Sequence, residues 1–284
     1  MGMLNAHARL AFAALAAAAL GPHLPGQTKS SSLSSAVRTP RSADRITLVV
    51  PAGADLSAGN VDLLWPMVAP APVRYQQWFH NGLFPQGKLR ITGMSFRPNP
   101  QAGGKMKATN TSMLIRFSST TNASTAPDLR FADNLSEDVT TVRSGSLELS
   151  SDFKQLDTGA MDFDVKVPFD TPFEFDTTTG RHLIIDMFNE FGTSPDGVPP
   201  LCLVPPADGP RGCNLDAQSF ENADTATLRR WRSGAGNGTL AENAVPEVSD
   251  ARGYVIRFEC EFTPPPPAAP LGSRERARQA HILP

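Results

Sequence analysis

Residues 161–169 read Met161-Asp162-Phe163-Asp164-Val165-Lys166-Val167-Pro168-Phe169. Every odd position is apolar, and every even one is charged or proline. Successive side chains of an extended strand point to opposite faces, so this period of two predicts a strand with one wet face and one core face. Phe173 and Phe175 keep the odd phase beyond Pro172. A helix would need apolar positions three and four apart, which this stretch lacks.

The same pattern recurs outward from there. Residues 254–262 place Tyr254, Ile256, Phe258, Cys260 and Phe262 on one face. Met113, Ile115 and Phe117 alternate, as do Leu147 and Leu149, and Ile46–Val50 and Val73–Phe79 read as strands. In 88–97 the apolar phase changes from Leu89 and Ile91 to Met94 and Phe96. The change falls at Gly93, where a β-bulge restores the inward face. Residues 182–188 are apolar on both faces apart from Asp186, as in a central strand covered on both sides. A buried Asp needs partners, and Arg74, Arg97 or Arg257 can supply one.

About nine or ten strands are countable in this way, with no amphipathic helix of more than two turns. The chain has 22 Gly and 26 Pro among 284 residues, above the average of roughly 12% for the two together. The fold expected is an all-β antiparallel β-sandwich, jelly-roll-like, formed by residues 46–263 as a single domain.

The ends read differently. Arg9 precedes the apolar run Leu10–Leu20, and Ala17, Ala19 and Gly26 offer small residues for cleavage. A run of this length suits a secretory signal and falls short of the roughly 20 residues that span a bilayer. We read 1–26 as a signal peptide, 27–45 as a Ser/Thr-rich flexible leader, and 264–284 as a Pro-rich spacer and disordered tail. No transmembrane segment is expected in the mature chain, which would be secreted or periplasmic in a bacterium. The formal net charge of −2, with Lys and Arg scattered, argues against nucleic acid as a partner.

The order of several motifs resembles a family. These are Gly59-Asn60 with 74–77 (RYQQ), 91–97 (ITGMSFR), 129–134 (LRFADN), 142–145 (VRSG), 172–176 (PFEFD), 183–186 (LIID) and 253–258 (GYVIRF). Together they resemble a family of exported bacterial β-sandwich proteins of unknown function, many of which carry a C-terminal PEP-CTERM sorting signal. This chain lacks the Pro-Glu-Pro signature and the apolar helix of that signal after Phe262. The resemblance implies export and placement at the cell envelope or in extracellular polymer, and carries over no activity.

Chemistry has few places to reside. Only His80 and His182 lie in the domain, and no nucleophile elbow, P-loop or zinc-ligand spacing occurs. Carboxylates are more promising. Asp162 and Asp164 share a strand face, and Asp176 follows; such a set can bind Ca²⁺, perform glycoside hydrolysis, or simply keep a β-face solvated. Trp78 and Trp231 are candidate platforms for stacking on sugars, against core packing as the plainer role. Cys202 and Cys213 flank a turn and suit a disulfide in an exported protein, whereas the phase of Cys260 turns it inward as a buried thiol. No other cofactor is implied. The expectation is a non-catalytic protein with a structural or adhesive role at the envelope or in extracellular matrix, in contact with extracellular polysaccharide or envelope components. The alternatives are a carbohydrate-binding module or a carboxylate-based glycoside hydrolase.

Overall fold

A computed structural model describes residues 43–64, 72–121, 130–189, 202–203, 214–219, 227–233, 246 and 248–266. The chain divides into two compact units, Met1–Arg41 and Ser42–Pro284, and all described residues belong to the second. The expected signal peptide and most of the leader and tail lie outside the described residues. Among the described residues no helix is long and apolar enough to cross a membrane.

Fourteen strands are described: β1 (Asp44–Val50), β2 (Val61–Leu64), β3 (Val73–Phe79), β4 (Lys88–Phe96), β5 (Lys105–Thr120), β6 (Thr140–Ser151), β7 (Val165–Asp176), β8 (His182–Asn189), β9 (Cys202–Leu203), β10 (Asn214–Ser219), β11 (Thr227–Ser233), β12 (Val248–Asp250), β13 (Arg252–Tyr254) and β14 (Ile256–Thr263). The excess over the expected nine or ten comes mainly from β2, β9, β12 and β13, which hold two to four residues each. Segments that short show no period.

The protein is an all-β antiparallel β-sandwich. One sheet has the order β1-β14-β4-β7, and the other runs β12-β11-β3-β8-β5-β6 with β9 pairing β5. A third, three-stranded sheet runs β13-β10-β2. A jelly roll distributes eight strands over two sheets; here the sheets hold four, seven and three.

The core lies between the two larger sheets and is aromatic. Phe258 of β14 meets Phe79 of β3 edge-on at 5.6 Å, and Phe173 of β7 meets Phe117 of β5 at 5.8 Å. Edge-to-face pairs of this kind add to the burial term, which is about 1.5–3 kcal/mol for a large apolar side chain. The phase change in β4 is resolved as expected. Glu259 pairs Gly93 and Cys260 pairs Ile91, so Thr92 is an extra residue on β4. Leu89, Ile91, Met94 and Phe96 are all buried as a result.

β8 is the central strand its sequence suggests. It lies between β3 and β5, and all but His182 is buried. The stretch 161–169 is only partly a strand, because β7 begins at Val165. Asp162 N donates to Lys154 O, and Met161 bridges Gln155, so 154–162 folds into its own small hairpin. Phe163 therefore leaves the main core. It packs with Ala54, Val255 and Val49 on the outer side of the first sheet.

Candidate functional site

The most distinctive polar residues of the sequence lie inside the protein. Arg74, Gln76, Asp186 and Asn134 are all fully buried. The register aligns Arg74 with Phe188, Gln76 with Asp186, and Arg116 with Asp186 across β3, β8 and β5. Arg74 donates to both Asp186 oxygens at 3.1 Å, a bidentate pair. Arg116 adds a contact of 2.6 Å from Nη2 to Oδ2. Arg74 was among the expected partners; Arg116 was not singled out, because its proximity depends on the β5–β8 register.

Segment 130–138 covers this outer face of the larger sheet. Gln76 donates to Phe131 O at 2.9 Å, and the Arg74 guanidinium lies over the Phe131 ring, 4.7 Å from its centroid. At the far end of the segment, Asp138 accepts from Ser118 Oγ at 2.7 Å and Ser119 N at 3.0 Å.

A matching device joins the first sheet to the third, between Arg97 just after β4 and Asp216 of β10. Asp216 of β10 is buried and pairs with the Arg97 Nη2 at 2.7 Å. Gly59 N donates to both Asp216 oxygens, at 3.0 and 2.9 Å, and Arg97 also donates to Ser57 O at 2.7 Å. Burial pushes the Asp216 carboxyl up, opposed by the Gly59 and Arg97 hydrogen bonds. Arg97 and Arg257 both lie over Phe163, at 4.8 and 5.1 Å. Segments 51–59 and 152–164 thus roof this face as 130–138 roofs the other.

The three carboxylates singled out from sequence do not converge. Asp176 ends β7 while Asp162 and Asp164 precede it; β7 bulges between Pro168 and Phe173, and the β4 span Lys88–Phe96 that it pairs with, at about 3.3 Å per residue, still holds its two ends roughly 25 Å apart. Asp176 caps the turn Thr177–Thr179, and its hydrogen bonds from the Thr178 side chain and backbone hold its carboxyl below the usual range. Asp164 accepts from Ser151 Oγ at 3.0 Å and Asp152 N at 2.8 Å, and burial still pushes its carboxyl up. The expected Ca²⁺ set Asp162, Asp164 and Asp176 is therefore corrected. Among the described residues no three His, Cys, Asp or Glu side chains are placed to hold a metal.

Trp78 is fully buried against Ile184 and Leu135, which removes it as a sugar platform. Trp231 is located by register, opposite Tyr75 and Val248. Cys260 is a free buried thiol whose pKa is pushed up to about 12 by burial. Cys202 pairs with Met106 through β9, and Cys213, with it the expected disulfide, lies outside the described residues.

The sequence did not bring the two domain histidines together, but the β3–β8 register does. Their rings lie 4.6 Å apart. His80 Nδ1 accepts from Gly82 N at 3.1 Å and His182 Nδ1 from Asn81 N at 3.2 Å. Burial, and then His80, hold the His182 imidazole below its ordinary value.

Between the two roof segments of the first sheet lies an open cleft of about 440 Å³, within the range of small-molecule sites. Asp55 comes from one wall, Leu156 and Asp162 from the other, and Thr47 and Arg257 from the sheet. Arg257 donates to Phe163 O at 2.8 Å, and its Nη1 stands 3.9 Å from Asp162 Oδ1. Asp162 is the only one of the three singled-out carboxylates in this lining.

Comparison with protein-family models, with curated proteins and with solved structures finds no match to this chain.

Proposed function

We propose that this chain is an exported, non-catalytic β-sandwich with a structural or adhesive role at the cell envelope or in extracellular matrix, where it holds polysaccharide. One observation carries the reading: its distinctive polar motifs are spent on architecture. Gly59, Gln76 and Arg97 fasten roof segments to the sheets beneath them, Arg74 and Asp186 tie β3 to β8, and Asn134 closes its own roof segment onto Arg130 O. Buried charges so paired are costly to break, about 3–5 kcal/mol when one partner is lost. They serve rigidity, which suits a scaffold or an adhesin. These motifs also carry the resemblance to the exported PEP-CTERM-associated family, and the proposal extends that family's localisation to this chain.

The test is direct. The full chain is expressed in a Gram-negative host, the cells are fractionated, and the N-terminus is read by mass spectrometry. Cleavage within 17–26 and recovery from periplasm or medium are expected. An uncleaved chain retained in the cytoplasm contradicts export. For adhesion, the exported form is expected to remain on immobilised polysaccharide through washing, and free elution from every such surface contradicts that role.

A further inference from the structure

The cleft between the roof segments has a polar pattern that the architecture does not use up. Arg257 makes one hydrogen bond, to Phe163 O at 2.8 Å, and its Nε is buried with no partner. Its Nη1 and Asp162 Oδ1 are 3.9 Å apart, close enough to attract and too far for a hydrogen bond. A single hydroxyl oxygen at about 2.8 Å from each fits that gap with an angle of roughly 90° at the oxygen. It would accept from the guanidinium and donate to the carboxylate, which is what a hydroxyl can do and a carboxylate or ammonium ligand cannot.

The rest of the lining agrees. The Thr47 side chain and the Asp55 carboxylate supply a further hydroxyl and a further acceptor, and Leu156 supplies apolar surface. Two carboxylates against one guanidinium disfavour an anionic ligand. Both walls are preformed. Leu156 N donates to Ala160 O at 2.8 Å, Ala54 N to Pro51 O at 3.3 Å, and Ala54 packs with Phe163 and Val255 at the floor. Little ordering entropy remains to be lost on binding.

We propose that this cleft binds a neutral, hydroxyl-rich glycan, with one sugar hydroxyl bridging Arg257 and Asp162. The inference rests on the adhesive reading and gives it a site and a ligand class.

Affinity electrophoresis of the full chain tests it, with cellulose oligomers, laminarin, mannan and dextran as neutral probes and polygalacturonate as the anionic one. Retardation is expected by at least one neutral probe and none by polygalacturonate. Asp162→Asn and Arg257→Lys are each expected to weaken that retardation ten-fold or more. Asp55→Ala, on an exposed turn where folding is not at stake, is expected to weaken it several-fold. Neutral retardation that survives Asp162→Asn and Asp55→Ala overturns the cleft while leaving the adhesive reading standing, and so does retardation lost only in Trp231→Ala. Retardation by polygalacturonate alone overturns the ligand class. No retardation by any probe overturns the inference and removes polysaccharide as the partner in the adhesive reading.

Discussion

Asp186 serves two guanidiniums, and its loss leaves both without their shared counter-charge. Asp186→Asn is expected to cost about 3–5 kcal/mol, measured by urea unfolding; a cost below 1 kcal/mol would mean the cluster holds nothing together. The His80–His182 pair makes a pH-dependent prediction. In the folded state His182 binds its proton only below the ordinary value near 6.5, because it is buried beside His80. The unfolded chain therefore binds more protons between 6.5 and that lower value, and stability falls as pH falls through this window. Asp164 and Asp216, with raised values, act in the opposite sense as pH falls toward 3.8. Comparison with His182→Gln separates the two. As pH falls below 6.5 the wild-type Tm is expected to drop more steeply than that of the variant; equal slopes would contradict the assignment. Cys260 should resist iodoacetamide at pH 8 in the native protein and react only after unfolding, as read by peptide mass spectrometry.

At the scale of elements, period-two alternation was enough to find β4 and β14 and to place the bulge beside Gly93, and a run apolar on both faces was enough to find β8. It worked because those strands have one or both faces in a core. The roofs were not legible in this way. Segments 51–59, 130–138 and 152–160 have no period, and their fold depends on contacts from distant strands. Phe163 shows the limit well: its alternation was correct, but the Lys154–Asp162 hydrogen bond turns it from the core to the roof. Asp216, the partner of Arg97, sits in the short strand β10, whose sequence carried no signal. The candidate cleft was visible only through Asp162, since its other wall and Arg257 come from strands and turns far away in sequence. Gly59 tests the roof most sharply. A Cβ there would lie 1.9 Å from Ala217 O, so Gly59→Ala must displace the segment that donates to Asp216. A loss of about 2–4 kcal/mol is expected in urea unfolding, and a neutral substitution would show that the roof yields freely.

At the scale of the molecule, two sheets enclose one aromatic core, and each outer face is closed by a pinned segment. Such a body presents rigid walls and a preformed cleft, which suits holding a polymer more than reshaping it. The carboxylates bear on the same point, since Asp164 and Asp176 are engaged in local caps and stand at opposite ends of β7. The measurement that tests this account most directly records retention and turnover on one sample. The purified chain is incubated with the neutral polysaccharide that retards it, and bound protein and new reducing ends are followed together. Retention with no increase in reducing ends is the predicted result. Reducing ends that accumulate with time and vanish in Asp162→Asn would contradict it and make the cleft a hydrolytic one.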